Sequence, residues 1–505
     1  MESKRTAFDN EKYLKEQSEA ILSRISNFNG KLYLEFGGKI IHDYHAARVL
    51  PGYDPNVKIR LLQQLKNKMD IILCIYAGDI EKGRIRGDFG ITYDADAMKL
   101  IDDLRDNSLS VSAVVITRFA GQQQATRFKN KLENRGIKVY LHEATRGYPT
   151  EVDLIVSEDG YGRNPYIETN HSLVVITGPG PGSGKLATCL SLLYHDYQKG
   201  IKSGYAKFET FPIWNLPLKH PVNIAYEAAT ADISDFNMID PFHLAAYNQT
   251  TVNYNRDVEV FPVIKRILEK ISSGALMYQS PTDMGVNRAG FAIVDDQAAR
   301  DAAKQELIRR YFRYHYENVL GVEKKETLER AKLIMEEMGL KEQDRKVVVA
   351  ARESCESAQK KAAQGEIMCG AAIELRDGSI VTGRSSSLMH ASSALVLNAI
   401  KNLAQIPDKI HLLSPNVIEH TKNLKKNILG LKSESLDLEE TLIALSMSAA
   451  TNHTAEFAME KLKELLGCEV HLTHIPTPGD ETGLRRLKVN LTTDANFFSQ
   501  DLFIV

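Results

Sequence analysis

Short apolar runs alternate with amphipathic stretches along the first part of the chain. LYLEF at 32–36, DIILCIY at 70–76, SAVVIT at 112–117, KVYLH at 138–142 and LVVIT at 173–177 are rich in β-branched residues and bounded by turn formers. Runs of this length and composition are strands buried on both faces. Between most of them the period changes to that of a helix. Leu14, Ile21, Leu22 and Ile25 share one face of the first such segment, NVKIRLLQQLKNK is another, and ATRFKNKLENRG closes on Gly136. Strand and helix in alternation predict a doubly wound, mostly parallel α/β sheet, whose ligands sit beyond the carboxyl ends of the strands.

From Asp295 to Leu340 the pattern is helical throughout, with AARDAAKQELIRRYFRYHYENVL followed by ETLERAKLIMEEMGL. A new α/β unit begins near Arg345. GAAIELRDGSIVTGRS reads as a hairpin turning at Asp377-Gly378, helices follow near 388–404, 417–429, 438–449 and 454–466, and CEVHLTH and RLKVNLT read as closing strands. The expected organisation is a doubly wound domain over 1–294, a helical bridge over 295–344 and a smaller α/β domain over 345–505.

Composition removes several function classes. The chain has 505 residues, 43% hydrophobic, with 63 Lys+Arg against 65 Asp+Glu. Near-balanced charge without a long basic run gives a nucleic acid no electrostatic footprint. No stretch supplies about 20 consecutive apolar residues, so no membrane span is expected. The amino terminus is charged and lacks the apolar centre of a signal peptide. Cys74, Cys189, Cys355, Cys369 and Cys468 are scattered and never spaced C-x-x-C, which fits a reducing cytoplasm rather than a disulfide or zinc framework.

The strongest chemical signal is LVVITGPGPGSGKLATCLSLLY at 173–194, a strand, a Gly-rich turn, a lysine and a helix. A phosphate-binding loop spelled G-x-x-x-x-G-K-[ST] wraps phosphates in backbone N–H groups, extends its lysine to them and puts a hydroxyl on Mg²⁺. Here Pro179 stands where the first glycine belongs, Gly178 is one place early, and Leu186 replaces the hydroxyl. Gly178, Gly180, Gly182, Ser183, Gly184 and Lys185 remain candidates to cradle an anion, with Thr188 one turn further along as a substitute hydroxyl. The plain alternative is a tight strand-to-helix turn.

Downstream, FAIVDD at 291–296 reads as a strand ending in acids, where Asp295 can assist a metal or cap the next helix. DLIVSED at 153–159 is a similar upstream candidate. YQSPTDMGVNR at 278–288 offers Asp283, Asn287 and Arg288 to a polar substrate, or to their own turn. NLPLKHPVNIAYEAATADISD at 215–235 places Lys219, His220, Glu227 and Asp232 around an expected strand. His42, Asp43, His45 and Arg48 form a polar patch after the first strand, without the third ligand that a metal needs. His390-Ala391-Ser392 lacks the glutamate of a zinc deaminase. THIPTPGDETGLRRLKV, with His474, Asp480, Glu481, Arg485 and Arg486, reads as a lid or a solvated hairpin tip between two strands.

LYLEFGGKIIHDYHAARVLPGYDPNVK, GPGPGSGKLATCLSLLYHD and YQSPTDMGVNR together resemble a bacterial group, uncharacterised protein family 0371, over nearly the whole chain. The resemblance implies a bacterial cytoplasmic protein and transfers no activity or catalytic residue. The residues themselves predict a nucleotide- or phosphate-binding metabolic enzyme. Its leading form is ATP-dependent phosphoryl transfer or ligation on a small polar metabolite, with Mg²⁺ near Asp295. The alternatives are an enzyme acting on a phosphorylated metabolite without nucleotide, and a non-catalytic binding protein that forms a homo-oligomer through the helical bridge.

Overall fold

The apolar runs assemble into one all-parallel sheet. A computed structural model describes residues 5–28, 31–86, 90–275, 277–362 and 366–499. The strands of the sheet are Leu32–Phe36 (β1), Met69–Tyr76 (β2), Val111–Thr117 (β3), Val139–Leu141 (β4), Leu173–Thr177 (β5), Gly204–Phe208 (β6) and Gly285–Val286 (β7). They lie in the order β7-β6-β1-β5-β2-β3-β4. From β1 the chain moves outward through β2, β3 and β4, returns to insert β5 between β1 and β2, and then runs the other way to β6 and β7. This reversal makes the carboxyl end of β5 the crevice where open α/β sheets bind ligands.

Helices cover both faces, which is why the central strands carry no polar alternation. On one face Tyr33, Cys74, Val115, Ile176 and Tyr205 pack with Cys189 and Leu193 of helix Lys185–Gln198 and with Phe261 and Leu268 of helix Asn255–Ile271. On the other, Leu73, Ile75, Val114 and Ile116 meet Ala97, Ile101 and Phe128 of helices Tyr93–Asp106 and Gln123–Glu133. Each fully buried side chain of this size stabilises the sheet by roughly 1.5–3 kcal/mol. Both covering helices of the first face begin at the carboxyl edge of the sheet, so Lys185 and Asp257 open towards the same rim.

The described chain divides into two compact units, Arg5–Ala303 and the residues from Lys304 on. The second unit has its own mixed sheet of Gly370–Glu374 (β8), Ile380–Arg384 (β9), Glu469–Leu472 (β10) and Asn490–Thr493 (β11), in the order β9-β8-β10-β11. β8 and β9 form the expected hairpin, and β10 and β11 run parallel. The buried guanidinium of Arg345 fastens this last pair, donating to Glu469 at 2.6 Å, to the Asn490 carbonyl at 2.8 Å and to Thr492 at 3.0 Å. Burial raises the Glu469 carboxyl, but Arg309 and Arg345 outweigh it and hold the group down at about 2.

Four segments differ from the sequence reading, the first being DLIVSED, which opens in the short helix Val152–Ile155 rather than a strand. The apolar stretch VNIAY is not a strand but part of helix Pro221–Ala229, where Pro221 occupies the first turn and His220 caps it. FAIVDD is a 3₁₀ turn, Ala289–Ala292, followed by a single antiparallel bridge from Ile293 to Phe8. The segment after His474 is a helix, Pro478–Arg486, capped by Thr477, and its Asp480 is buried. In helices Pro221–Ala229 and Pro478–Arg486 a proline and a capping side chain at the first turn outweighed the pattern.

Candidate functional site

The segment between β5 and helix Lys185–Gln198 turns through two left-handed glycines, Gly182 at φ 71° and Gly184 at φ 90°. Side chains at these positions would be strained, and a Cβ on Gly184 would also lie 2.7 Å from the Thr117 side chain. At Gly178 a Cβ would sit 2.4 Å from the Cys74 carbonyl oxygen, so backbone runs directly over β2. Thr117 donates to the Ser183 carbonyl at 2.7 Å, tying the loop to the end of β3.

Gly184 caps the helix without a side-chain hydrogen bond, and no acid stands in the first turn. The unpaired N–H groups and the positive end of the helix dipole are therefore not neutralised by a carboxylate of the helix itself. Two cations border them. Lys185 folds back, its Nζ donating to the Gly180 carbonyl at 3.3 Å and to Ser183 Oγ at 3.4 Å. The exposed Arg118 donates to the Gly182 carbonyl at 2.6 Å and stacks on Tyr76, 3.4 Å from the ring centroid. Arg118 escaped the sequence reading, although its place one residue beyond a strand's carboxyl end was a usable signal.

Thr188 is buried and receives the Cys74 thiol at 3.4 Å. Burial pushes that thiol up to about 12, so Cys74 is a neutral donor here. Asp295 accepts from the Ala298 amide at 3.0 Å, capping the next helix. Asp283 accepts from Tyr247 at 2.8 Å and from the Gln279 amide at 3.0 Å. Asn287 donates to the Thr210 and Pro212 carbonyls at 3.1 Å each, and Arg288 lies over Phe291. Asp283, Asn287 and Arg288 flank β7, three strands from β5 and about 14 Å away by strand spacing. The structure brings together Gly178, Gly180, Gly182, Ser183, Gly184 and Lys185, and sets the other candidates apart from them.

A second polar group lies two strands from β5 on the same rim. Lys207 on β6 reaches Glu209 at 3.0 Å and also contacts Asp257 and the Tyr254 hydroxyl. Tyr254 donates to Glu209 as well. On β1, between this group and the loop, Glu35 accepts from Tyr205 at 2.8 Å. Burial, reinforced by Asp257 and opposed by Lys207, pushes the Glu209 carboxyl up to about 7. No motif announces these residues, because strand pairing and helix placement alone assemble them.

The second unit gathers helix starts differently. Asp480 accepts from the Leu438 amide at 2.9 Å, from Thr477 Oγ1 at 2.8 Å and from Ser392, and pairs with His390 at 2.7 Å. An open cleft of about 590 Å³ in the same unit is lined by Leu413, Pro415, Ile418, Lys422, Lys426 and Glu434. It contains none of the residues singled out above.

The family described as "Domain of unknown function DUF1846, N-terminal" matches residues 6–339, and its C-terminal counterpart matches residues 343–503. A "UPF0371 protein" of Clostridium botulinum (strain Langeland / NCTC 10281 / Type F) is 59% identical over 499 residues, covering 99% of both chains. The chain belongs to the UPF0371 family. Another member, from Clostridium tetani (strain Massachusetts / E88), is 58% identical over 496 residues, 98% of this chain and 99% of its own. Among the described residues of this UPF0371 chain, no helix is long and apolar enough to cross a membrane.

Proposed function

We propose that the protein is a cytoplasmic metabolic enzyme that acts on a small phosphorylated metabolite and holds its phosphate at residues 178–185. The observation that carries this reading is the helix start at Lys185. It lies beyond the central strand with no side-chain cap and no acid in its first turn, bordered by Lys185 and Arg118. A phosphate seated there gains up to about 2 kcal/mol from the helix terminus, and more from the two cations. Lys185 and Arg118 now rest on loop carbonyls, contacts that a phosphate oxygen would replace. The absence of disulfides among the five cysteines, all of them described, agrees with a reducing compartment.

ATP-dependent phosphoryl transfer is the second reading, favoured by the order of strand, loop, lysine and helix. The residues support it less. Leu186 has no hydroxyl, Thr188 spends its own inside the core with Cys74, and Asp295 is a helix cap. Binding of a phosphate ester through backbone and cations needs none of these three. Calorimetric titration with inorganic phosphate, phosphate monoesters and Mg-ATP tests both readings. Phosphate or ester binding that disappears in Lys185→Ala supports the first, and Mg-ATP binding without either would replace it by the second. Equal binding by wild type and Lys185→Ala defeats both.

A further inference from the structure

The polar group at the carboxyl end of β6 is expensive to maintain by packing alone. Side chains of Lys207, Glu209 and Asp257 are only 12%, 21% and 13% exposed. One ammonium faces two carboxylates in direct contact, with Glu35 beside it on β1. Desolvating such a set usually stabilises a fold no better than an apolar replacement, so its presence at the rim of a binding crevice points to use.

Its hydrogen bonding is also unfinished. Lys207 and Tyr254 both bond to Oε1 of Glu209, and Lys207 takes Oδ2 of Asp257. No described residue donates to Oε2 of Glu209 or Oδ1 of Asp257. The arrangement therefore offers acceptors and asks for donors, the complement of hydroxyl groups. Asn287 fixes this opening from outside, because its amide clamps the Thr210 and Pro212 carbonyls next to Glu209.

Register gives the distance to β5, the strand that leads into the loop. Glu35 pairs with Ile176 of β5 on one side and with Lys207 of β6 on the other, and all three lie on the face covered by the Lys185 and Asn255 helices. Two strand spacings separate Lys207 from β5, about 10 Å. The loop begins at that strand and leans beyond it towards Thr117, so the bridging ester belongs to the longer end of the class, a pentose or hexose phosphate.

We propose that Glu209 and Asp257, held by Lys207 and Tyr254, bind the hydroxyl-bearing end of the metabolite whose phosphate lies at residues 178–185. This site rests on the phosphate reading above and adds the substrate class, a polyhydroxylated phosphate monoester. Burial and the neighbouring Asp257 raise the Glu209 carboxyl and Lys207 opposes them.

The test is isothermal titration of the full-length protein with inorganic phosphate, glycerol 3-phosphate, ribose 5-phosphate and glucose 6-phosphate. At least one ester should bind about tenfold more tightly than phosphate. In Glu209→Gln, a neutral replacement of the same shape, that advantage should vanish while phosphate affinity stays within about twofold. Asp257→Asn should repeat the result, with circular dichroism reporting the fold of each variant. The site is overturned if no ester exceeds phosphate, or if the advantage survives in Glu209→Gln. Loss of all binding in Lys185→Ala with a retained ester advantage in the wild type is the expected companion result. A wild type that binds no phosphate overturns the phosphate reading, and this site falls with it.

Discussion

Helix starts are used in opposite ways in the two units. In the second unit, helices Ala391–Leu403, Leu438–Ala449 and Pro478–Arg486 all begin around Asp480, whose carboxylate collects a backbone amide, two hydroxyls and His390. Asp437 completes the arrangement with a capping box to Glu440. The three helix ends that meet at this point have their anion, supplied by the chain. In the first unit the Lys185 helix starts on a glycine and carries no such group. The same physics yields a structural joint where the carboxylate is built in, and a helix start left without its anion where it is missing.

Breaking the joint should produce the largest effect. Asp480→Ala removes an anion with buried partners and should lower the unfolding free energy by about 3–5 kcal/mol in urea denaturation. Lys185→Ala, which removes one long hydrogen bond to the buried Ser183 hydroxyl and one to the Gly180 carbonyl, should cost only about 1 kcal/mol. If the two losses were equal, the contrast would be wrong.

Ligand linkage should come next. Phosphate at about 100 times its Kd should raise the unfolding free energy of the wild type by about 2.7 kcal/mol. Lys185→Ala should abolish that gain and Asp480→Ala should keep it, both read by thermal unfolding with and without phosphate.

A smaller loss of roughly 1–2 kcal/mol is expected for Gly184→Ala, from the left-handed backbone alone, together with weakened phosphate binding. Gly200→Ala, also at positive φ but with open space around its Cβ position, provides the strain control without the binding defect.

The smallest effect is the pH dependence of the joint. Burial works against the His390 imidazolium, but Asp480 and Asp437 outweigh it and raise its pKa. The resulting stabilisation is complete below the ordinary imidazole value of about 6.5 and is lost as pH rises through the raised one. His390→Asn should flatten this slope in unfolding experiments between neutral and alkaline pH.

The two regions were also unequally legible in the sequence. β1 and β5 have the limits that their apolar runs suggested, because burial on both faces keeps the runs almost wholly apolar and Glu35 alone carries charge in them. The loop could be read for a local reason: strand, glycines, lysine and helix follow one another within a few turns. The segment around Asp480 reads as a lid or a solvated hairpin tip because its partners Leu438 and Ser392 are distant in sequence and its own helix starts with Pro478-Gly479. Lys207 and Asp257 are separated by the whole of helix Pro221–Ala229 and meet only through tertiary packing. Helix Pro221–Ala229 itself was missed because a short apolar run fits either period until its cap is recognised.

The position of β5 also sets a timetable for synthesis. β1 and β2 are early in the chain, yet they cannot pair with each other, since the strand that joins them arrives roughly a hundred residues after β2. At ribosomal rates of about 5–20 residues per second, two apolar strand edges wait roughly 5–20 s for their shared neighbour. The nascent chain is most open to misassembly during that interval, and it closes with the emergence of the residues that carry the glycine-rich loop.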